Sequence, residues 1–525
     1  MNRAEMMSRL ERHHGPWDIV IVGGGATGMG VAVDAAARGY SVLLVEQSDF
    51  GKGTSSRSTK LVHGGVRYLE QGNISLVMEA LRERGILRNN APHIVSNLPF
   101  VVPTYDWWES PFYGVGLKVY DLLAGKYNFG RSTILSRNET LRRLPTLQPE
   151  GLRGGVVYYD GQFDDARLLI ALARTAADRG ATLLNYAQVV GLEKGPDGLI
   201  QGVVLRALEE EREIRVAARV VINATGPFAD GVRRLAEPDA PALIAPSQGI
   251  HLVFDRSFLP GDSAIMVPHT RDGRVMFAIP WHGHTLVGTT DTPIGVAALE
   301  PQPLDDEVAF ILETASQYLH KAPTRSDVLS VFAGIRPLVR SGDSRITAAL
   351  SRDHTIHIDA SGLLTVTGGK WTTYRRMAED TVNQAAVLAR LPDKPCVTQT
   401  LRIHGYVAKP GPAGPVRVHG SDAGRIEALA QENPGLAERL HDALPYTAAE
   451  VVWAARHEMA RTVEDVLARR CRALFLNAAA AIQMAPRAAR LMARELGRDA
   501  AWERREVEVF TALAGGYLLS MSLQE

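Results

Sequence analysis

Three glycines near the start of the chain have the spacing of a pyrophosphate-binding turn. Gly23, Gly25 and Gly28 form the pattern G-x-G-x-x-G directly after an apolar run. The first glycine permits a tight turn, the second lets a phosphate approach the backbone, and the third lets the following helix pack closely. Glu46 follows the next apolar run and is the residue type that binds a ribose diol, which disfavours NADP. The pattern predicts a dinucleotide site and leaves NAD and FAD as alternatives.

The hydrophobic pattern predicts the elements that must position this turn. Residues 17–22 and 41–45 are short apolar runs, and the Ala-rich stretch 29–38 lies between them. Strand, glycine turn, helix and strand in this order predict a βαβ unit. The N-terminus of its helix would offer backbone N–H groups to the phosphates.

Segments far from this unit favour FAD over NAD. The predicted strands 217–224 and 363–366 end in glycine turns at 225–226 and 367–370, where open α/β sheets bind ligands. The stretch 54–60 is dense in hydroxyl side chains. An extended cofactor such as FAD needs donors from distant segments, whereas a nicotinamide enzyme has no evident use for this stretch. We therefore predict FAD as the cofactor.

Composition excludes several classes of protein. The 525 residues include 58 Lys and Arg and 58 Asp and Glu, a formal net charge of zero, which argues against nucleic-acid binding. The two cysteines, Cys396 and Cys471, form no zinc or disulfide pattern, so we expect no metal and a reducing compartment. The sequence contains no apolar run long enough for a transmembrane helix and no signal-peptide core, so we expect a cytoplasmic protein.

The pattern changes along the chain in a way that predicts three kinds of domain. Short strands at 251–254, 275–279 and 285–287 alternate with turns and predict an antiparallel sheet. A Pro/Gly-rich stretch at 409–415 predicts a linker, and the sequence from 423 onward has helical spacing. We predict an α/β fold, with a Rossmann-like FAD-binding domain, an antiparallel-sheet substrate domain and a C-terminal all-α domain. Their predicted ranges are 1–82, 159–228 and 355–400 for FAD binding, 83–158 and 229–354 for the substrate, and 401–525 for the helical domain.

Six collinear motifs resemble one known family. They are TSSRSTKLVHGGVRYLE, NATGPFAD, PWHGHTLVGTTDT, FAGIRPLV, SRDHTI and TVTGGKWTTYRRMAED. Together they closely resemble the FAD-dependent, quinone-linked respiratory glycerol-3-phosphate dehydrogenases, within the D-amino-acid-oxidase-like flavoproteins. The resemblance runs from about residue 17 to about 390 and continues more weakly through the C-terminal region.

The resemblance implies a reaction, an electron acceptor and a location. The substrate would be sn-glycerol 3-phosphate, oxidised to dihydroxyacetone phosphate by hydride transfer from C2 to flavin N5. Electrons would pass to a membrane quinone, ubiquinone or menaquinone. The protein would be attached peripherally to the cytoplasmic, inner face of the cell membrane, and a homodimer is suggested.

The resemblance also implies substrate-binding and catalytic residues. Arg67, Arg336 and Arg352 lie in motifs that supply substrate contacts in the family, and a guanidinium fits two phosphate oxygens. Tyr68 would add a hydroxyl contact or a wall. Lys370 follows two glycines where the backbone can approach the flavin, so it is expected both to bind substrate and to stabilise developing negative charge.

We expect His63, Arg336 and Lys370 to be the catalytic residues. His63 is the predicted general base because imidazole titrates near neutral pH and this histidine lies between the hydroxyl-rich stretch and Arg67. The alternative for each residue is a purely structural role.

The predicted cofactor contacts come from the same motifs and from the glycine turns. They are Gly23, Gly25, Ala26, Thr27, Gly28, Glu46, Gln47, Thr54, Ser55, Ser58, Lys60, Leu61, His63, Gly64, Val189, Ala224, Gly226, Asp291, Gly334, Gly369, Lys370, Trp371 and Thr372.

Residues 100–129 contain nine aromatic side chains, of types that sit at a lipid headgroup boundary. They predict either a membrane contact or an aromatic core of the substrate domain. The alternative function is a glycerol-3-phosphate oxidase that passes electrons to oxygen and forms hydrogen peroxide. Oxidation of another 2-hydroxy acid or an amine is disfavoured by the arginine set. A non-catalytic binding protein would leave His63, Arg67 and Lys370 without purpose.

Overall fold

A computed structural model describes residues 1–70, 72–268, 270, 273–340, 354–411 and 416–519. The predicted substrate residue Arg352 and part of the predicted linker lie outside these ranges, and the side chain of Arg67 is not among those described.

The described residues form helices and strands that alternate along most of the chain. The helices are α1 Arg3–Arg12, α2 Ala26–Ala37, α3 Val66–Glu70, α4 Ile74–Asn90, α5 Glu109–Ala124, α6 Arg137–Arg143, α7 Asp165–Asp178, α8 Ala229–Ala236, α9 Asp305–Tyr318, α10 Tyr374–Leu388, α11 Ala423–Glu432, α12 Pro434–Ala437, α13 Ala448–His457, α14 Ala473–Leu476, α15 Ala478–Leu496 and α16 Ala500–Gly515. The strands are β1 Ile19–Val22, β2 Val42–Val45, β3 Leu61–Val62, β4 Val95–Thr104, β5 Thr133–Ser136, β6 Gly154–Phe163, β7 Thr182–Leu184, β8 Ala187–Lys194, β9 Ile200–Ala207, β10 Arg212–Ala217, β11 Val221–Asn223, β12 Ile244–Asp255, β13 Ala264–Val267, β14 Met276–Trp281, β15 His284–Gly288, β16 Thr292–Pro293, β17 Val328–Val339, β18 His354–Ile358, β19 Leu364–Gly368, β20 Arg439–His441 and β21 Leu444–Thr447.

The first sheet is the predicted open α/β sheet. Its strand order is β18-β19-β11-β1-β2-β7, and all neighbours are parallel except the antiparallel edge strand β18. Every residue of β1 and β2 is buried because helices α2, α7 and α10 pack around the sheet, which explains their uninterrupted apolar sequence. The strands come from three separated stretches of the chain, so the domain predicted to bind FAD is discontinuous.

The predicted strand at 217–224 is wrong in its extent. β10 ends at Ala217 and belongs to a separate three-stranded antiparallel sheet with β8 and β9. β11 begins only at Val221 and pairs with β1. The chain changes sheets between these two residues, and a continuous apolar run carries no signal for such a change.

The second sheet has ten strands: eight lie on its main path, in the order β16-β12-β15-β14-β13-β4-β6-β3, and β17 and β5 pair with β12 and β6. The predicted antiparallel strands are confirmed as parts of β12, β14 and β15. The long pair β12–β17 brings Arg336 opposite Ser247. Two predicted domain boundaries, 82/83 and 158/159, fall inside α4 and β6.

The C-terminal region is helical, as predicted, and contains one hairpin, β20–β21, that was not predicted. Its buried residues Leu444 and Tyr446 belong to one apolar cluster with the second sheet. A further contact joins this region to α7, which packs on the first sheet. The ring of His404 is hydrogen-bonded to Asp178 at the end of α7 through Nδ1 (2.6 Å) and to Asp422 through Nε2 (2.9 Å).

Candidate active site

A cavity of about 700 Å³ lies where the carboxyl ends of the first sheet face the second sheet. β1, β2, β11 and β19 all end at its wall, and the turns after them contribute Gly23, Glu46, Ala224 and Gly369. This is the edge at which open α/β sheets bind ligands. β12 and β17 of the second sheet provide the opposite wall through Gly249 and Arg336.

The glycine turn after β1 is packed too tightly for any larger residue. Gly23 has φ +111°, and a Cβ there would lie 2.7 Å from the carbonyl oxygen of Ala224. A Cβ at Gly28 would collide with the carbonyl oxygen of Gly23. Gly23 and Gly25 line the cavity, whereas Gly28 lies behind it and acts through the close packing of α2 on β1. Gly28 therefore has a packing role, and its predicted contact with the cofactor stays a prediction.

Glu46 is oriented towards the cavity by the backbone. Its Oε2 accepts a hydrogen bond from Gly24 N (2.7 Å) and its Oε1 accepts one from Ser48 N (2.9 Å). Burial raises the pKa of Glu46, although these two hydrogen bonds oppose the shift. The carboxylate is fixed where a ribose hydroxyl group could donate to its remaining lone pairs.

The hydroxyl-rich stretch joins three walls of the cavity. Thr54 Oγ1 donates to Ile335 O (2.5 Å) in β17, and Ser55 Oγ accepts from Ala26 N (2.8 Å) at the start of α2. Trp371 Nε1 donates to Ser55 O (2.9 Å). The stretch is therefore held between the glycine turn, the second sheet and the turn after β19.

Two predicted cofactor contacts, Lys60 and Gly64, lie behind the wall. The Lys60 ammonium is fully buried and donates to Ser56 O and Asp165 Oδ2, both at 2.7 Å. Burial lowers its pKa to about 7, and Asp165 opposes the shift. Gly64 N donates to the hydroxyl of Tyr120 (2.9 Å). Internal partners satisfy the Lys60 ammonium and the Gly64 N–H group, and a contact of either residue with the cofactor stays a prediction.

Arg336 lies in the cavity wall with its guanidinium held in one orientation. Its Nη2 donates to Thr290 O (2.8 Å) and its Nη1 lies 3.3 Å from Asp291 Oδ1. Asp291 also accepts from Ser247 Oγ. Asp291 lines the cavity, as a cofactor contact would, and it also forms an ion pair with Arg336.

Lys370, Tyr68 and His63 line the same cavity. Lys370 Nζ lies 3.8 Å from the centroid of the Tyr68 ring, a cation–π distance. His63 N donates to Thr372 Oγ1 (3.2 Å), so the turn after β3 is tied to the turn after β19. Arg336 lines the same cavity, but it lies on the wall that β12 and β17 of the second sheet form.

The remaining predicted cofactor residues all line the cavity. They are Ala26, Thr27, Gln47, Thr54, Ser55, Ser58, Leu61, Val189, Gly226, Gly334, Trp371 and Thr372.

His251 and Arg274 also line the cavity and were missed by sequence reasoning. His251 Nε2 lies 2.9 Å from Thr59 Oγ1, and its ring stacks on Phe332 at 5.0 Å. Burial lowers the pKa of His251 well below its usual value, and the charges of Lys60 and Arg336 add to the effect. Its ring is therefore neutral at pH 7. The sequence did contain a signal for His251: residues two apart lie on the same face of a strand, so Gly249 and His251 share one face of β12.

Comparisons with known proteins agree with this geometry. Residues 18–375 match the family model described as FAD dependent oxidoreductase, and residues 396–503 match that of the C-terminal domain of alpha-glycerophosphate oxidase. A mitochondrial glycerol-3-phosphate dehydrogenase of Arabidopsis thaliana is 42% identical over 94% of this chain and 85% of its own length. The human mitochondrial glycerol-3-phosphate dehydrogenase is 41% identical over 94% of this chain and 72% of its own length.

This chain belongs to the family of FAD-dependent glycerol-3-phosphate dehydrogenases. A solved glycerol-3-phosphate dehydrogenase from Bacillus halodurans, complexed with FAD, superposes with a TM-score of 0.79 at 29% identity, covering 100% of this chain and 99% of its own. The resemblance, the fold class and the FAD dependence predicted from the sequence are confirmed. An L-alpha-glycerophosphate oxidase from Mycoplasma pneumoniae with FAD bound shares the fold, with a TM-score of 0.55 at 19% identity over 74% of this chain.

The described residues fit the cofactor of this family. The glycine turn admits a phosphate at Gly25, where a Cβ would meet only Ser55 Oγ at 3.1 Å. Gly25 gives the first turn of α2 no side-chain cap of its own, and Ser55 Oγ takes the N–H of Ala26, so the rest of this helix N-terminus can face an anion. Within the described ranges, no helix has the length and apolarity needed to cross a bilayer.

Proposed function

We propose that this protein is a flavoprotein that oxidises sn-glycerol 3-phosphate to dihydroxyacetone phosphate and passes the electrons to a membrane quinone. The observation that carries the substrate is the pair of cations, Arg336 and Lys370, in the wall of the cavity that also contains the glycine turn. A phosphate dianion needs positive charge, and a guanidinium offers two parallel donors.

The side chains divide the work of the reaction. FAD, when bound, supplies the two-electron acceptor. Arg336, oriented by Thr290 and Asp291, holds the substrate phosphate. A ring nitrogen of His63 takes the proton of the C2 hydroxyl, and the ammonium of Lys370 stabilises the negative charge that develops on that oxygen.

Anaerobic titration of the purified yellow protein tests the substrate. Glycerol 3-phosphate should bleach the flavin absorbance rapidly, whereas at equal concentration glycerol should bleach it far more slowly and lactate should leave it unchanged. A stable flavin spectrum with glycerol 3-phosphate would contradict the substrate and leave the cofactor standing.

The electron acceptor is tested separately. Reoxidation of the bleached protein should be fast with a short-chain quinone and slow with oxygen, with little peroxide formed. Faster reoxidation by oxygen, with one peroxide per turnover, would instead identify an oxidase.

An exposed apolar surface on α5 supports membrane attachment. It consists of Trp107, Trp108, Phe112, Val115, Val119 and Leu122 and is called the α5 patch. Leu122 is 80% exposed and Trp107 is 76% exposed, whereas Leu117 and Tyr120 on the other side of the helix are buried. The prediction of an aromatic core therefore describes only one side of this segment.

The charges around the α5 patch indicate what covers it. Lys118, Lys126 and Arg131 are exposed beside it, and tryptophan with lysine is typical of an anionic lipid interface. We propose that the patch lies on the lipid surface from which the quinone is drawn.

Co-sedimentation with vesicles tests the patch. Phosphatidylglycerol-containing vesicles should bind the wild type, and W107S/F112S/L122S should remain in the supernatant. A matched control, V296S/V387S, removes two equally exposed apolar residues elsewhere and should still bind. Equal binding of the two variants would contradict the role of α5.

A further inference from the structure

Three buried arginines of the C-terminal domain contact the back of the cofactor-lining segment. Asp49 lies in the loop after β2 and is fully buried. It accepts from Arg469 Nε (2.5 Å) and from both Nη atoms of Arg470 (2.8 Å each). Although burial opposes it, Arg470 and Arg469 lower the pKa of Asp49. The loop that carries Gln47 into the cavity is therefore held by charges from a distant part of the chain.

Arg472 holds the next part of the same segment. This residue has φ +67° and is 1% exposed. Its Nη2 donates to Ser56 O (2.8 Å) and to Asp165 Oδ1 (3.1 Å). The other oxygen of Asp165 accepts from Ser58 N (3.0 Å) and Ser58 Oγ (2.7 Å). The backbone is thus fixed on both sides of Arg57, beside the hydroxyl groups that face the cavity.

A fourth contact also joins the C-terminal domain to this segment. Glu464, in the same C-terminal turn, accepts from Lys52 Nζ (2.6 Å). Arg469, Arg470 and Arg472 themselves lie behind the wall, one layer away from the cavity-lining residues. Buried charge pairs are costly to break, because the remaining partner is left without compensation.

We propose that Arg469, Arg470 and Arg472 are positioning residues for FAD. They hold residues 49–58 in the conformation that presents Thr54, Ser55 and Ser58 to the cofactor. The C-terminal domain therefore sets the affinity for FAD without touching it. This inference rests on FAD binding and is independent of the substrate named above.

The test measures FAD affinity in the full-length protein. Holoenzyme of the wild type, R472M and R470K is diluted, and FAD release is followed by the recovery of flavin fluorescence. R174M is the matched control, because the Arg174–Asp422 pair is also buried and also joins the C-terminal domain to α7, but lies away from the cavity wall.

We expect R472M to weaken FAD binding by about tenfold or more, as loss of charged hydrogen bonds would, and R174M to change it by less than about twofold. Excess FAD should restore the flavin spectrum and the rate of flavin reduction in R472M. R470K keeps the positive charge but loses the bidentate hydrogen bond to Asp49. If R472M does not fold, the test is made with R470K.

An FAD affinity equal to that of R174M would overturn the proposal. A reduction rate that excess FAD does not restore would also overturn it, because such a defect would reflect general damage to the fold and not weaker FAD binding. The FAD affinity is measured without any reductant, and the reduction rate is measured with dithionite, so failure here is distinct from failure of glycerol 3-phosphate to bleach the flavin.

Discussion

Replacing Arg336 by alanine should mainly weaken binding of the substrate phosphate. The guanidinium is fixed by Thr290 O at 2.8 Å and by Asp291 at 3.3 Å, so its orientation in the cavity wall is set before the substrate binds. Removing one partner of a buried charge pair costs about 2–5 kcal/mol. The Arg336 side chain is 28% exposed, which places the cost near the lower end. About 2–3 kcal/mol corresponds to a loss of about 30- to 150-fold in kcat/KM.

The assay compares two substrates that differ only in the phosphate. Dye reduction is measured with glycerol 3-phosphate and with glycerol, for the wild type and for R336A. The loss should appear with glycerol 3-phosphate, chiefly in KM, and should nearly vanish with glycerol, because that substrate has no phosphate to lose. FAD content and its visible spectrum should stay unchanged.

Arg340 provides the matched control. It lies just past the end of β17 and donates to Ile244 O (3.1 Å) in β12, so R340A removes a similar cross-strand contact without a cavity contact. Its KM should equal that of the wild type. An unchanged KM in R336A, or an equal loss with glycerol, would refute the assignment of Arg336 to the phosphate.

Three further outcomes are expected. H63N should slow anaerobic flavin reduction with FAD still bound, whereas a larger loss in H251N than in H63N would transfer the role of base to the second histidine. G28A should lower FAD content and unfolding midpoint together, because the added Cβ collides with backbone; a normal holoenzyme would contradict the packing role of Gly28. Burial lowers the pKa of His404, but hydrogen bonds to two aspartates outweigh it and raise the pKa above its ordinary value. The stabilisation by His404 is therefore fully present below the pKa of the unfolded state and is lost as the pH rises through the pKa of the folded state. The gap in urea midpoint between wild type and H404Q should shrink from pH 5.5 to pH 8, and a constant gap would rule out this linkage.

Local features of the site could be predicted from the sequence. The conformation of the turn Gly23–Gly28 depends on steric limits within six consecutive residues, and the strands on either side of it are uninterrupted apolar runs that the sequence pattern reveals. The collinear motifs then added residues that spacing alone does not connect, such as Arg336 and Lys370. Both of these line the cavity.

Contacts between distant segments could not be predicted in this way. His251 meets Thr59 across 192 residues, and only the pairing of β12 with its neighbours brings them together. Lys60 lies in a stretch that looks suited to a ligand, yet Asp165, 105 residues away, takes its charge. In both cases the chemistry of the residue was visible in the sequence, and its partner was not.

The apolar core gives a second reason why the C-terminal region cannot be an independent appendage. Phe475, in the short helix α14, packs edge-on against Phe332 of β17 with ring centroids 4.8 Å apart, and His251 also stacks on Phe332. One cluster of buried side chains runs from Phe100 and Tyr158 in the second sheet to Met484 in α15. Because burial of apolar area is the main favourable term in folding, removing the C-terminal helices would expose the back of the sheet whose front forms the cavity. The positions of the substrate-binding side chains and the stability of the helical domain are therefore coupled through shared core residues, in addition to the arginine contacts behind the cofactor.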